Sequence, residues 1–215
     1  MPYQFLTKWK YEALLVSLLL LMFGNLVIPE GFEETAQALF IVLNIVIGLS
    51  IFTFRKVWRW TIIIILSAIV LLELLYLFSI NDFRPLFAIL YIIYFVILSV
   101  KLYHKIYASK TAERESIVAS FCGFVMLGLL VSFVFMIVEF NQPGSFSNIG
   151  TGSEKYQNLQ YFSFITTLTI GYGDITPVTN EAKQLTALFG LIGNFYSVFV
   201  TVSYTHLTLP TSSWV

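Results

Sequence analysis

The chain is 215 residues long, 58% hydrophobic and only 11% charged, and its twelve Lys and Arg balance its twelve Asp and Glu. A soluble domain carries about 25% charged residues, so this composition excludes a soluble globular protein and predicts a membrane protein. The net charge is zero and no basic face or tail is present, which excludes a nucleic acid as partner.

Six apolar segments of the sequence are long enough to cross a bilayer core of about 30 Å. They predict an all-α membrane protein with six transmembrane helices. The first segment follows Lys8 and Lys10, but its apolar run exceeds the roughly 7 to 15 residues of a signal core, so we interpret it as a spanning helix. The segments are 11–28, 36–54, 60–80, 85–103, 117–140 and 182–201.

The basic residues between these segments predict the orientation, since Lys and Arg near helix ends stay on the cytoplasmic side. A cytoplasmic N-terminus puts nine of the twelve basic residues inside and three outside. We therefore expect a multi-pass protein of the cell membrane with its N-terminus in the cytoplasm. The inner residues are Lys8, Lys10, Arg55, Lys56, Arg59, Lys101, Lys105, Lys110 and Arg114, and the outer ones are Arg84, Lys155 and Lys183.

The first four segments predict a four-helix bundle over residues 1–104, followed by a cytoplasmic linker over residues 105–116. Glu73 is the one acidic residue well inside this bundle, and a carboxyl group at membrane depth suggests a functional role. Counted from the outer helix ends, Glu73 and Asn44 reach similar depths, so the two could pair. A protonated or hydrogen-bonded Glu73 with a purely structural role is the alternative.

The last two segments enclose a polar outer loop, Asn141 to Asn158, and then a short apolar run, Leu159 to Leu168. About ten residues of helix extend about 15 Å. That is too short to span a bilayer, so we predict a re-entrant helix. Non-helical backbone at that depth is tolerated only where protein or a water-filled cavity surrounds it. Glu139, just before the loop, could brace the loop or simply meet water.

The segment after the short helix reads Thr169-Ile170-Gly171-Tyr172-Gly173-Asp174. Gly171 and Gly173 can leave the usual negative-φ regions without a Cβ clash, which would aim successive carbonyl oxygens at one axis. The Thr169 hydroxyl would add an oxygen at the inner end, while Tyr172 would point away from the axis and pack behind.

These residues, with the short helix before them and an apolar segment on either side, resemble the selectivity filter and pore module of the potassium channel superfamily. The resemblance covers residues 117–201, which we interpret as a pore domain with outer helix, pore helix, filter and inner helix. It implies that the backbone from Thr169 to Gly173 replaces the hydration shell of K+, the permeant ion, in about four copies around one axis. It implies a homotetramer in a lipid bilayer and no cofactor, and it leaves any gating ligand unknown.

The inner helix contains Gly190 and Gly193 within an apolar stretch. In the superfamily a similar glycine-containing stretch lines the inner cavity and lets the helix bend, so the resemblance implies a gating hinge at one of the two. Glycine lowers the cost of such a bend. Close helix packing through small residues is the alternative interpretation.

Six helices with one pore resemble the voltage-gated branch of the superfamily, whose sensing requires several charges that move through the field. The fourth segment has no charge from Pro85 to Val100, and Lys101 and Lys105 lie at its cytoplasmic end. We predict a single-pore subunit without an arginine ladder, with weak or absent voltage dependence, and expect a prokaryotic source.

A potassium-selective channel subunit is the leading hypothesis, and it has three alternatives. A cation transporter with related filter loops would carry four pore loops in one chain, and this chain has one. An enzyme would need a cluster of metal-ligating or acid–base residues, whereas the chain has two His and one Cys, so we expect no enzyme. The sequence does not exclude a non-conducting or regulatory membrane subunit.

The apolar pattern breaks after Thr201, and the following residues resemble the translation of a common sequencing-library adapter. A scar of that kind is not part of the native chain. We therefore predict that residues 202–215 are a non-native tail. An uninterrupted genomic reading frame through these codons would contradict that.

Overall fold

Helices account for nearly all regular structure in the residues that the structure describes. The structure is a computed structural model, and it describes residues 9–26, 28–29, 33–51, 64, 67, 84–108, 114–152 and 154–208. Within those residues there is no β-strand, only an isolated bridge between Phe146 and Pro177. The helices are α1 (Lys10–Phe23), α2 (Glu33–Ile51), α3 (Arg84–Ala108), α4 (Arg114–Asn141), α5 (Glu154–Thr167) and α6 (Asn180–Thr208), with a 3-10 turn at Gly24–Leu26.

The chain divides into two compact units, Met1–Val100 and Lys101–Val215. The first unit contains α1, α2 and most of α3. The second contains the end of α3 together with α4, α5 and α6. Because α3 continues across the division, the linker predicted to start at residue 105 begins as helix; the predicted domain boundaries themselves stay predictions.

In the first unit, each of the three helices buries one side. The buried positions recur at spacings of three or four residues, as expected for helices that bury one face. On α3 the rings of Tyr91, Tyr94 and Phe95 contact one another, with centroids 5.3 to 5.9 Å apart. Among the described residues of this unit, the buried apolar side chains are Tyr11, Leu14, Leu18, Ile41, Ile45, Tyr91, Tyr94, Phe95 and Leu98.

Helix α1 is shorter than the predicted first span, residues 11–28. Its 14 residues extend about 21 Å, less than a bilayer core of about 30 Å. Gly24 follows the helix, and the ring of Phe40 on α2 occupies the place where a side chain on Gly24 would lie. Glycine and the next residue, Asn25, both weaken a helix, which explains the change to a 3-10 turn.

Two of the described helices, Arg114–Asn141 and Asn180–Ser203, are long and apolar enough to cross a membrane. They cover the fifth and sixth predicted spans. Helix α2 covers residues 36–51 of the second predicted span, whose last three residues lie outside the described residues, and α3 covers the fourth. Their shorter apolar stretches are Leu39–Gly48 and Ile89–His104. The third predicted span, 60–80, lies almost wholly outside the described residues.

The core of the second unit lies where α4, α5 and α6 meet the outer loop. Phe135 of α4 is at its centre, with ring centroids 5.1 Å from Phe146, 5.4 Å from Phe162 and 6.0 Å from Phe189. Such aromatic pairs each contribute about 0.5 to 1.5 kcal/mol beyond area burial. One outer-helix ring thus holds the loop, the short helix and the inner helix together. The buried members of this core are Val131, Phe135, Phe146, Ile149, Leu159, Phe162, Ile165, Ile175 and Ala182.

Helix α5 begins earlier than predicted. The predicted helix begins at Leu159, whereas the observed helix begins at Glu154. The prediction is wrong because the first residues of the helix are polar, and polar composition by itself indicates a loop. A carboxylate in the first turn suits the positive end of the helix dipole. With 14 residues and about 21 Å, α5 is still too short to cross a bilayer.

Helix α6 continues to Thr208, beyond the predicted native end near Thr201. The first part of the predicted non-native tail is therefore helical, and residues 209–215 lie outside the described residues. A helix requires only compatible backbone angles, so the predicted foreign origin of these residues stays a prediction.

Candidate functional site

The chain turns sharply where α5 ends, and the candidate filter bonds back to that helix. The N–H of Thr169 donates to the carbonyl oxygen of Thr166 at 3.0 Å. The N–H groups of Ile170 and Gly171 both donate to the carbonyl oxygen of Ile165, at 2.9 and 3.2 Å. These bonds satisfy carbonyl groups that a helix end otherwise leaves without partners, and they fix where the filter begins.

Every second residue of the candidate filter has a left-handed backbone conformation. The φ angle is 59° at Thr169, 59° at Gly171 and 80° at Gly173. When left-handed residues alternate with right-handed ones, successive peptide groups turn the same way, with N–H groups on one side and carbonyl oxygens on the other. The sequence predicted this freedom for the two glycines. It did not predict it for Thr169, where a β-branched residue with positive φ is strained and suggests a functional constraint.

Within one protomer the candidate filter lies at the surface. The five residues from Thr169 to Gly173 are all exposed, and the Tyr172 side chain is 71% exposed. The packing predicted behind the filter for Tyr172 is not formed by the described residues of one chain. A surface that covers the Tyr172 ring must therefore come from outside the described residues of this chain.

The inner helix α6 approaches the end of α5 most closely at Gly193. A Cβ added to Gly193 would lie 2.5 Å from the carbonyl oxygen of Thr167 and 2.9 Å from its Cα. A Cβ added to Gly190 would have only two atoms of Thr166 near it, at 3.8 and 3.9 Å, which is an ordinary van der Waals distance. The geometry gives Gly193 a packing role and leaves room around Gly190, so the hinge that the resemblance implies fits Gly190 better.

A second contact holds α6 nearer its C-terminal end. The Tyr196 hydroxyl donates to the carbonyl oxygen of Ser120 on α4 at 2.6 Å. Gly123 leaves room for that hydroxyl, because a Cβ there would lie 2.5 Å from the Tyr196 oxygen. The inner helix is thus attached both to the end of α5 and to the outer helix.

The outer loop between α4 and α5 is fastened to the chain that follows the filter. The N–H of Ser147 donates to the carbonyl oxygen of Thr176 at 2.9 Å, and the two hydroxyl oxygens lie 2.7 Å apart. Asn148 Nδ2 donates to the carbonyl oxygen of Asp174 at 2.9 Å. The loop therefore contacts the outer end of the filter directly.

Glu139, at the outer end of α4, braces the same loop. Its carboxylate accepts the N–H of Gly144 at 3.0 Å and the N–H of Phe146 at 3.3 Å, and Lys155 Nζ lies 3.0 Å from Oε1. The Glu139 side chain is 4% exposed and that of Lys155 is 38% exposed. Of the two roles that the sequence left open for Glu139, contact with the loop is the one observed.

The Asp174 carboxylate, which follows the candidate filter, raises the pKa of the Tyr161 hydroxyl on α5, because a nearby carboxylate favours the protonated phenol. The phenol therefore stays protonated throughout the neutral pH range.

In the first unit a polar side chain is buried on α2. Asn44 Nδ2 donates to Ser17 Oγ of α1 at 3.0 Å, and the main-chain oxygen of Asn44 accepts the Tyr94 hydroxyl of α3 at 3.2 Å. The predicted partner, Glu73, lies outside the described residues, so that pairing stays a prediction. Within the described part of the chain, Asn44 Oδ1 has no hydrogen-bond partner.

Sequence reasoning missed Ser147 and Asn148, which fasten the outer loop to the chain after the candidate filter. Asn148 and Ser147 bond to residues 26 and 29 positions away, so no local sequence pattern predicts these bonds. The one available signal was the type of residue: Asn is among the few that tolerate a left-handed backbone, and Asn148 has φ 58°.

Residues 144–208 match the family model described as "Ion channel". Over 84 residues the chain is 37% identical to the protein named potassium voltage-gated channel subfamily KQT member 3 in Homo sapiens and Bos taurus, covering 38% of this chain and 10% of each relative. Over 51 residues it is 43% identical to two pore potassium channel c of Oryza sativa subsp. japonica, covering 24% of this chain and 11% of that protein.

The chain thus spans about a tenth of the length of the curated relatives it matches. No solved structure matches it. The matches support a relationship to the potassium channel superfamily, and they point to a channel rather than an enzyme.

Proposed function

We propose that this chain is a potassium-selective channel subunit that conducts K+ passively through a tetrameric pore. The observation that carries the proposal is the recurrence of left-handed φ at Thr169, Gly171 and Gly173 in an exposed segment. We propose that this backbone turns successive carbonyl oxygens toward one axis, where stacked rings of such oxygens would replace the hydration shell of K+. The similarity of residues 144–208 to ion channels supports it.

A pore requires further copies of the chain, because one protomer supplies a single wall. In a homotetramer, neighbouring copies would cover Tyr172 and pack against the inner helices, with K+ as permeant ion and no cofactor. Much of the apolar surface of α6 is exposed within one protomer and is available for such contacts. Its exposed large apolar side chains are Leu188, Leu191, Ile192, Phe195, Val198, Phe199 and Val202.

The proposed subunit has six spanning helices and one pore, lies in the cell membrane and has its N-terminus in the cytoplasm. The excess of basic residues on the inner side supports this orientation. The length and composition of α4 and α6 support two of the spans. The prokaryotic source and any gating ligand stay predictions.

We also propose that the pore has weak or absent voltage dependence. The buried side of α3 carries Tyr91, Tyr94, Phe95 and Leu98, where a sensor helix would carry charges. Each charge that crosses the field contributes about 2.3 kcal/mol per 100 mV. No charged residue occurs from Pro85 to Val100, so this helix has little on which the field can act.

Neutralising Lys101 and Lys105 together to glutamine is expected to leave the conductance–voltage relation nearly unchanged. Both residues lie at the cytoplasmic end of the predicted span, where the field does little work on them. Planar-bilayer recordings of the wild type and the double variant measure the relation. A steep wild-type curve that flattens in the variant would contradict the proposal.

The proposed function is tested with purified protein in liposomes that hold a potassium gradient. The wild type is expected to pass K+ but not Na+ and to be blocked by barium. Gly171→Ala is expected to abolish the flux, because a left-handed alanine costs about 1 to 2 kcal/mol in each subunit and its methyl group is added at the filter.

Gly152→Ala is the matched control for Gly171→Ala. Gly152 has a similar φ of 63° and, like Gly171, has nothing within 4 Å of an added Cβ, but it lies in the outer loop. It is expected to keep the flux. Equal K+ and Na+ permeation would defeat the selective filter, and assembled wild type that passes neither ion would indicate a non-conducting subunit instead.

A further inference from the structure

Asn148 makes a direct contact with the chain at the outer end of the filter. Its Nδ2 donates to the main-chain oxygen of Asp174 at 2.9 Å, and Asp174 follows Gly173 directly. The donor lies in the outer loop, and the acceptor lies in the segment that follows the candidate filter. The bond therefore connects two parts of the second unit that are far apart in sequence.

The neighbours of Asn148 hold its backbone in place. Ser147 bonds to Thr176 through its N–H at 2.9 Å, and its hydroxyl accepts the N–H of Thr176 at 3.2 Å. On the other side, Ile149 is buried in the core of the unit. Although Asn148 itself is exposed, its amide group is presented from a fixed position.

The backbone of Asn148 is left-handed, with φ 58°. Glycine, asparagine and aspartate are the residues that adopt this conformation most readily. Of these three, only asparagine carries a side-chain N–H that can donate to a carbonyl group. Residue 148 must therefore adopt a left-handed backbone and also supply a side-chain N–H. Substitution can remove the N–H and keep the backbone conformation.

The acceptor carbonyl matters because of the residue before it. Gly173 has φ 80° and no Cβ to oppose rotation of the adjoining peptide groups. A rotated peptide would turn an N–H toward the ion path where a carbonyl oxygen is needed. The Asp174 carbonyl belongs to the next peptide group, so the bond from Asn148 anchors Asp174 and restricts rotation of the Gly173–Asp174 peptide from its far side.

Resting on the proposed channel function, we propose that Asn148 is a positioning residue that holds the outer end of the filter in its conducting conformation. The donating N–H is the part of the side chain that matters. Potassium bound in the filter favours the same conformation by mass action. Loss of the donor is therefore compensated at high external K+ and exposed at low external K+.

The test uses Asn148→Gly and Asn148→Asp in the full assembled channel. Both substitutions tolerate the left-handed backbone and both remove the donor, so donor loss is the defect they share. Bilayer recordings at low external K+ are expected to show the ratio of conducting to non-conducting channels lowered about fivefold, which corresponds to about 1 kcal/mol. High external K+ is expected to restore most of the current.

Gln142→Ala, which removes an exposed amide side chain from the same loop, is the control and is expected to behave as wild type. The proposal is overturned if both Asn148 variants behave as a conducting wild type, if their defect is unaffected by external K+, or if neither assembles. In the first case the channel function stands and only the role of Asn148 is lost. Wild type without any potassium current would overturn the channel function, and this proposal with it.

Discussion

Gly193→Ala is expected to cause the largest loss of conduction among substitutions outside the filter. The added Cβ would meet the carbonyl oxygen of Thr167 at 2.5 Å and its Cα at 2.9 Å. Neither backbone atom can rotate away, so α6 must move off the end of α5, at about 1 to 3 kcal/mol for overpacking in each subunit. Because the candidate filter follows α5 directly, potassium flux into liposomes is expected to fall about tenfold or more.

Gly190→Ala is the comparison variant on the same helix, because an added side chain has room there, and it also tests Gly190 as a hinge. Its added Cβ would be 3.8 Å or more from the nearest atoms, and alanine is favoured over glycine in a helix by about 1 kcal/mol. Thermal unfolding of the assembled protein is expected to shift upward. If Gly190→Ala leaves the flux unchanged, Gly190 is not a hinge. If the variant lowers the flux while raising the stability, Gly190 acts as a hinge. Wild-type flux and stability in Gly193→Ala would show that the close approach to Thr167 is not required.

The two long helices of the second unit, α4 and α6, were predictable because few backbone conformations are stable in lipid. Polar backbone groups in a bilayer must be satisfied within the segment, which favours a helix wherever about 20 apolar residues run together. Helix α4 was predicted over 117–140 and runs from Arg114 to Asn141. Its ends extend into polar residues, which apolar patterning does not detect.

The start of α5 could not be predicted by the same argument. Its first residues, from Glu154 to Asn158, are polar, and composition alone assigns such residues to a loop. In the structure Asn158 Nδ2 donates to the carbonyl oxygen of Ile149 in the loop at 3.2 Å. A polar first turn is stabilised by contacts that exist only after the loop has folded over it.

The backbone conformation of the candidate filter was predictable in part. Glycine announces freedom of φ in the sequence, so the conformations of Gly171 and Gly173 followed from residue type. Thr169 gave no such signal, since a threonine with φ 59° is retained only when its surroundings over-determine it. Likewise, the sequence contains the Asn148 donor and the Asp174 acceptor without indicating that they meet.

Glu139→Ala is expected to destabilise the pore unit by about 3 kcal/mol. The substitution removes the acceptor of the N–H groups of Gly144 and Phe146, and hydrogen bonds to a charged group are each worth about 1.5 to 3 kcal/mol. The Phe146 ring packs on Phe135 of α4, with centroids 5.1 Å apart. A loosened loop therefore also weakens the core that holds α5, and thermal unfolding of the assembled protein measures the loss.

Lys155→Ala is expected to cost less, about 1 kcal/mol or below. The Lys155 side chain is 38% exposed and partly solvated, and its removal leaves the Glu139 carboxylate with both backbone donors. Because salt screens exposed charges more than buried bonds, high ionic strength is expected to shrink the effect of Lys155→Ala and to leave that of Glu139→Ala largely intact. Equal losses from the two substitutions, both relieved by salt, would mean that the ion pair holds the loop and that the backbone hydrogen bonds contribute little.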